Sequence, residues 1–81
     1  MPNPSNNEFI LHVNEQASGT LNIRIYNNIG QLVYIENRYH SGKAESYKFS
    51  KLKLNSGLYF VNVRMNNIKQ IGLVKWMNVD N

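Results

Sequence analysis

The stretch TLNIRIY, residues 20–26, alternates apolar and polar side chains with a period of two. Leu21, Ile23 and Ile25 share one face, while Asn22 and Arg24 share the other. Successive side chains of a β-strand point to opposite faces, whereas a helix would scatter these aliphatic residues around its circumference. Full burial of each aliphatic side chain would contribute roughly 1.5–3 kcal/mol, so we expect a half-buried strand in the core.

The same period predicts five further strands, which cover residues 8–13, residues 31–36, a short segment through Tyr47 and Phe49 that ends near Ser50, residues 58–65 and residues 68–77. The segment 31–36 is apolar on both faces, so its inner face stays undecided. Turns are predicted at residues 27–30, at residues 55–57 and at Asn66-Asn67, because Asn and Gly tolerate positive φ angles. Short strands separated by turns about every ten residues predict an all-β fold, an immunoglobulin-like antiparallel β-sandwich of about six to seven strands.

Size and composition limit the chain further. Its 81 residues hold at most one domain, so we expect residues 1–81 to fold as a single unit. There is no cysteine, which excludes disulfides and thiolate metal sites. No apolar run is as long as a membrane-spanning helix, and the N-terminus lacks the layout of a signal peptide. If the domain is exported, its export signal is expected elsewhere on a longer parent chain.

The net charge of +4 comes from cations that are scattered along the sequence: Arg24, Arg38, Lys43, Lys48, Lys51, Lys53, Arg64, Lys69 and Lys75. Nucleic-acid-binding proteins concentrate such charge on one face beside stacking aromatic residues. A solvated surface with a basic bias therefore explains the charge better, and we expect no nucleic-acid partner.

The sequence contains no arrangement typical of an enzyme. The five carboxylates are far apart in sequence, so no acid–base pair is indicated. His12 is predicted on a strand surface and His40 in a loop, without the spacing of a metal site. The serines lack a nucleophile-elbow pattern, and the glycines do not form a phosphate-binding loop. We therefore expect no catalytic residues, metal, cofactor or small-molecule substrate.

Aromatic residues leave one binding alternative open, since rings stack on sugar faces. The candidates are Tyr26, Tyr34, Tyr39, Tyr47, Tyr59, Phe60 and Trp76. Aromatic side chains are also ordinary strand formers that pair across sheets. A carbohydrate-binding module and a structural or adhesive sandwich of a surface protein are thus the alternatives that the residues allow.

Several segments stand in a fixed order along the chain. The first is PNP at residues 2–4, followed by Phe9, and the central ones are IRIYNNIGQLV at residues 23–33 and LNSGLYFVNV at residues 54–63. A final strand with Lys75 follows them. In order and spacing these segments resemble the opening, the two central blocks and the closing segment of the C-terminal sorting domains of the type IX (Por) secretion system, type A. The family-motif and recognition residues are then Pro2, Asn3, Pro4, Tyr26, Asn27, Gly30, Gln31, Val33, Leu54, Gly57, Tyr59, Val61, Val63, Ile71, Leu73, Val74 and Lys75.

The resemblance implies a non-enzymatic domain that directs a covalently linked upstream passenger protein through an outer-membrane translocon. Such domains resemble seven-stranded sandwiches, and their partners are the translocon, its shuttle proteins and a sortase-like peptidase. The passenger is expected to pass through the periplasm and to reach the cell surface or the medium. Cleavage by the peptidase is expected upstream of Pro2, and surface attachment can follow.

The resemblance also implies that the last strand, residues 71–77, is the recognition element, because the terminal residues of this family carry the targeting signal. An edge strand offers unpaired backbone groups to a partner strand. The chain departs from the family in one respect, since it continues beyond Lys75 to Asn81. The polar tail after Met77 is expected either to be a natural part of the domain or to fray without function.

Overall fold

The computed structural model describes residues 7–50 and 52–79. Within these ranges the chain forms six strands and no helix: β1 (Phe9–Val13), β2 (Gly19–Asn27), β3 (Leu32–His40), β4 (Glu45–Phe49), β5 (Gly57–Met65) and β6 (Lys69–Asn78). The all-β prediction is confirmed, and each strand overlaps one predicted from the alternation. No described segment is a helix of the length and apolarity needed to cross a membrane.

The strands form two antiparallel sheets that enclose one core. The larger sheet has the order β3-β2-β5-β6, and the smaller sheet pairs β1 with β4. Their inner faces supply the buried residues Leu11, Val13, Leu21, Ile23, Ile25, Tyr47, Phe49, Tyr59, Val61, Val63, Met65 and Trp76, joined by Leu52 from the segment after β4. This arrangement is the predicted β-sandwich, with the aliphatic face of β2 at its centre.

An aromatic cluster joins the two sheets at one end of the core. Phe9 of β1 stacks on Phe49 of β4 with ring centroids 4.8 Å apart. Phe9 also lies 5.0 Å from Trp76 of β6, which in turn lies 5.5 Å from Tyr59 of β5. Aromatic pairs at these separations contribute packing beyond the area that they bury. The cluster therefore fixes the small sheet over the β5–β6 side of the large one.

Strand β3 is longer than predicted. The prediction was too short because polar residues occupy the inner face of this strand and interrupt the apolar pattern. The prediction ended at residue 36, but pairing with β2 continues to His40, which lies opposite Gly19. The placement of His40 in a loop is therefore wrong, since this side chain is fully buried. Its Nε2–H donates to the backbone carbonyl of Glu15 (2.7 Å), so its Nδ1 accepts from the Tyr47 hydroxyl (2.6 Å).

The remaining inner side chains of β3 satisfy one another. The Tyr34 hydroxyl and the Arg38 Nε–H both donate to the Glu36 carboxylate, and the Arg38 guanidinium lies 4.6 Å from the centroid of the Phe49 ring. Burial tends to raise the pKa of Glu36, but the two donated hydrogen bonds and the positive charge of Arg38 outweigh it and leave this pKa lowered. Burial and the bond to Glu36 raise the pKa of Tyr34 to about 12.

Two turns form where Asn and Gly predicted them. In the β2–β3 turn, the Asn27 side-chain oxygen accepts from the backbone N–H groups of Ile29 (3.1 Å) and Gln31 (2.9 Å). Gly30 has a φ of 87°, which a side chain would strain. In the β5–β6 turn, Asn66 and Asn67 both have positive φ, and Ile68 adds a third loop residue. The predicted two-residue turn is thus one residue longer.

A polar clasp fastens the segment before β1 to the end of β6. The buried Asn78 side-chain oxygen accepts from the Asn7 backbone N–H (2.8 Å), and its amide donates to the carbonyls of Leu54 (3.0 Å) and Asn55 (3.2 Å). The Asn7 side-chain oxygen accepts from the Leu54 N–H (2.6 Å). We call these four residues the Asn7–Asn78 clasp. It closes one end of the sandwich through hydrogen bonds.

Replacing Asn78 is expected to destabilise the fold. Asn78→Ala leaves the Asn7 N–H and two carbonyls without their partner in a buried site, which costs about 1–3 kcal/mol of unfolding free energy. Equilibrium urea unfolding measures this loss. Asn28→Ala, at an exposed turn position, is the matched control and should stay within about 0.5 kcal/mol of the parent. Equal effects of the two substitutions would contradict the clasp.

The lowered pKa of Glu36 predicts a contribution to acid sensitivity. Because this pKa lies below its unfolded value, the ionised carboxylate adds stability above the unfolded pKa and loses it as the pH falls through the folded pKa. Glu36→Gln should therefore flatten the decline in unfolding free energy between about pH 5 and pH 2. Urea unfolding across this range tests the slope, with Glu8→Gln in the exposed Glu8–Lys48 pair as control. An unchanged slope in Glu36→Gln would refute the assignment.

Candidate functional site

Strand β6 lies at an edge of the large sheet. It pairs with β5, and no other described strand lies on its second side. A register shift opposite Val63 and Arg64 leaves Ile71 without a paired residue, which is a β-bulge. Leu73 is 62% exposed and Val74 is 46% exposed. An edge strand of this kind presents free N–H and C=O groups together with apolar side chains.

A groove runs between β6 and β1, the facing strand of the small sheet. It consists of two adjoining cavities of about 520 Å³ and about 340 Å³, which share Leu11, His12 and Val74 in their lining. Val61 and Val63 of β5 also contribute to the lining. We call this feature the β1–β6 groove. It exists because the small sheet does not extend over β6 along its whole length.

Contacts at both ends of the groove hold its walls in place. At one end, Lys69 Nζ of β6 lies 3.4 Å from Glu15 Oε2, just beyond β1. At the other end, the Phe9 and Trp76 rings meet. Phe9 thus lies near Trp76 and Glu15 near Lys69, so β1 and β6 run in opposite directions along the groove. The groove is bounded at its ends and open along its length, which suits an extended segment.

The predicted motif residues separate into a structural group and an edge group. Asn27, Gly30 and Gln31 build the β2–β3 turn. Val33, Leu54, Tyr59, Val61 and Val63 lie in the core or beside it. Gly57 begins β5, and Tyr26 lies on the outer face of the large sheet, opposite Phe60. Ile71, Leu73, Val74 and Lys75 are brought together on β6. Pro2, Asn3 and Pro4 lie outside the described residues.

The segment that follows Lys75 is part of the fold through Asn78. Trp76 is buried against Phe9 and Tyr59, and Asn78 is 1% exposed in the clasp. Fraying directly after Met77 is therefore wrong. The physical reason is that β6 continues to pair with β5, where Met77 lies opposite Leu58 and Asn78 opposite Gly57.

Strand β1 is a part of the site that the sequence did not indicate. Its alternation predicted an inner face at Phe9, Leu11 and Val13, and these residues do pack on the core. Which strand of the other sheet they would approach depends on how the sheets stack, so no local signal identified them as a groove wall. The exposed His12 lies at the groove, and its Nδ1 is 2.7 Å from the Ser46 hydroxyl oxygen.

The other candidate chemistry is not assembled by the described residues. They contain no group of three His, Asp or Glu side chains that could hold a metal ion. Tyr47, Tyr59 and Trp76, which were considered for a sugar-binding face, are buried in the core. Buried rings cannot stack on a sugar, so these three residues cannot contribute to the exposed aromatic face that a carbohydrate-binding module would need.

The comparisons agree with the order of the motifs. A family model described as the secretion system C-terminal sorting domain matches residues 1–75. No curated protein and no solved structure gave a significant match. The matched region covers nearly the whole chain and ends within β6. The chain therefore belongs to the family of type IX secretion system C-terminal sorting domains.

Proposed function

We propose that this sorting signal docks through β6, by accepting an extended segment of the outer-membrane translocon or of a shuttle protein along its free edge. The observation that carries the proposal is the combination of a strand edge that no other described strand pairs with and the β1–β6 groove beside it. An added strand would satisfy the backbone groups of β6 and place alternate side chains in the groove. Main-chain pairing supplies affinity in this mode, and the pockets supply specificity.

The dimensions of the groove support one short strand as the ligand. Residues 71–76 of β6 span roughly 20 Å at about 3.3 Å per residue, which matches a partner segment of about six residues. The Glu15–Lys69 pair and the Phe9–Trp76 contact limit that segment at its two ends.

The rest of the proposal follows the family. Residues 1–81 act as one domain of type A at the C-terminus of a passenger, which passes through the periplasm before it reaches the cell surface. A sortase-like peptidase removes the domain upstream of Pro2, and the passenger can then be attached to the surface. No nucleic acid or small-molecule substrate takes part.

The domain itself is proposed to catalyse no reaction. Several of its inward polar side chains bond to one another within the fold, as in the His40–Tyr47 pair and the Glu36–Arg38 pair. The β1–β6 groove is lined mainly by aliphatic residues, and His12 is its one histidine among the described residues. These features suit the binding of a peptide segment better than proton transfer.

A secretion assay with point variants tests the docking edge. Residues 1–81 are fused behind a periplasm-directed fluorescent reporter in a bacterium with a working type IX system. Val74→Lys introduces a charge where the partner segment would pack, and surface reporter should fall roughly tenfold, as expected when about 1.4 kcal/mol of docking free energy is lost. Removal of all of β6 is avoided, because Trp76 and Asn78 belong to the fold.

The matched control is Ile29→Lys, which places the same charge on a 74% exposed residue of the β2–β3 turn. This variant should be exported like the parent domain, and disabling the translocon should abolish export of both. Circular dichroism of the purified variants verifies that each is folded. Normal export of folded Val74→Lys would reject β6 as the docking edge, and export without a translocon would reject the sorting role.

A further inference from the structure

The outer face of the large sheet carries apolar residues beside polar ones, which include Asn22, Asn37, Asn62 and Gln70. The inner side chains of its strands form the core, and the alternate positions point away from the small sheet. Apolar residues on this outer face are Tyr26, Leu32, Ile35, Tyr39, Leu58, Phe60, Leu73 and Met77. An antiparallel sheet with one solvated face usually has polar residues there. This explains why residues 31–36 gave no clear inner face in the sequence.

Several of these outer side chains are largely exposed. Tyr39 is 69% exposed, Ile35 is 53% exposed and Met77 is 54% exposed, and they lie on the two edge strands β3 and β6. Tyr26 and Phe60 lie opposite each other on the central strands and are half-buried. Phe60 and Leu58 are same-face neighbours on β5, and Leu58 lies opposite Met77, so these residues form an apolar patch with Tyr26. Exposed apolar patches can mark sites of interaction.

The same face carries cations and no carboxylate among the described residues. Arg24 and Lys75 lie beside apolar positions, whereas Arg64 lies between Asn22 and Gln70 of the neighbouring strands, and none of the three cations forms an ion pair among the described residues. The described carboxylates have partners elsewhere: Glu8 with Lys48, Glu15 with Lys69, Glu36 with Arg38 and Glu45 with Ser41. Strand pairing thus places three cations that are far apart in sequence on one face.

Cross-strand pairing intermixes charge and apolar surface. Tyr26 lies opposite Phe60, which lies opposite Lys75. The next row across the sheet begins with Ile35 of β3, which lies opposite Arg24 of β2. Leu73 of β6 ends the same row, two strands beyond Arg24. Neighbouring strands are about 4.8 Å apart, so Arg24 lies within contact distance of Ile35, and Lys75 lies within contact distance of Phe60. We call this surface the outer basic–apolar face.

We infer that the outer basic–apolar face binds an anionic lipid surface. Lipid headgroups provide phosphate for Arg24, Arg64 and Lys75, and the acyl boundary accepts Leu73, Met77 and Ile35 from the edge strands. Long cationic side chains reach headgroups while their stems cover apolar surface. A fluid membrane needs no matching pocket, and both described cavities lie in the β1–β6 groove instead.

Two other occupants fit the face less well. A second copy of the chain would place its three cations against their equivalents with no carboxylate between them, which opposes self-association. An acidic protein surface meets the charge, but a rigid protein would need a shape complementary to this face, whereas a fluid membrane adapts to it. The inference concerns this face alone and does not depend on β6 being the docking edge.

Vesicle co-sedimentation of the purified 81-residue chain tests the inference. Vesicles of phosphatidylcholine with phosphatidylglycerol are compared with vesicles of phosphatidylcholine alone, at low and high salt. Each cation near an anionic surface accounts for roughly a fivefold change in affinity, so the triple variant Arg24→Gln, Arg64→Gln, Lys75→Gln should bind the anionic vesicles on the order of 100-fold more weakly. Leu73→Ser with Met77→Ser should weaken binding at both salt concentrations.

A second triple variant with the same change in net charge distinguishes the effect of this face from the effect of the net charge of the chain. Lys43→Gln, Lys48→Gln, Lys53→Gln removes the same number of cations from positions outside the large sheet, and should keep most of the binding. Circular dichroism and urea unfolding verify that each variant is folded. Equal losses in the two triple variants, or no binding of the folded parent chain to anionic vesicles, would overturn the inference and leave an acidic protein surface as the occupant.

Discussion

The contact between Phe9, Phe49 and Trp76 is the interaction on which the rest of the sandwich depends. A two-stranded ribbon such as β1–β4 is marginal alone, so it holds its shape by packing on another sheet. Phe9 and Phe49 pack this ribbon against Trp76 and Tyr59 of the large sheet. Arg38 covers the Phe49 ring from β3, which connects the ribbon to the opposite edge as well.

The unequal width of the two sheets then explains the surfaces that remain open. Two strands cannot cover the inner face of four, and the uncovered strip lies beside β6, where the β1–β6 groove forms. The strip beside β3 differs, because its inward side chains are polar. Glu36, Arg38 and His40 lie there and form hydrogen bonds within the protein. One edge is therefore polar and self-satisfied, while the other is apolar and free to bind.

Much of this fold was predictable, because alternation with a period of two specifies both a strand and its inner face. The alternation did not predict the inner face of β3. Glu36 and Arg38 point inward there, but charged residues are expected at a surface unless their partners are known. Asn78 resembled a tail residue, since its bonds to Leu54 and Asn55 join positions far apart in sequence. The groove was not predictable, because it depends on how many strands each sheet contains. The outer basic–apolar face was not predictable either, because the residues that meet on it depend on the pairing register of the strands.

The Asn7–Asn78 clasp also determines how the domain carries mechanical load. Tension applied through the chain upstream of Asn7 reaches Asn78 and Leu54 through side-chain bonds before it reaches the β1–β4 ladder. Asn78 lies at the end of β6, whose ladder with β5 runs from Gly57 to Met65. A machine that grips β6 would thus pull on the attached cargo through a short path, and the weaker two-stranded ribbon would be spared the force.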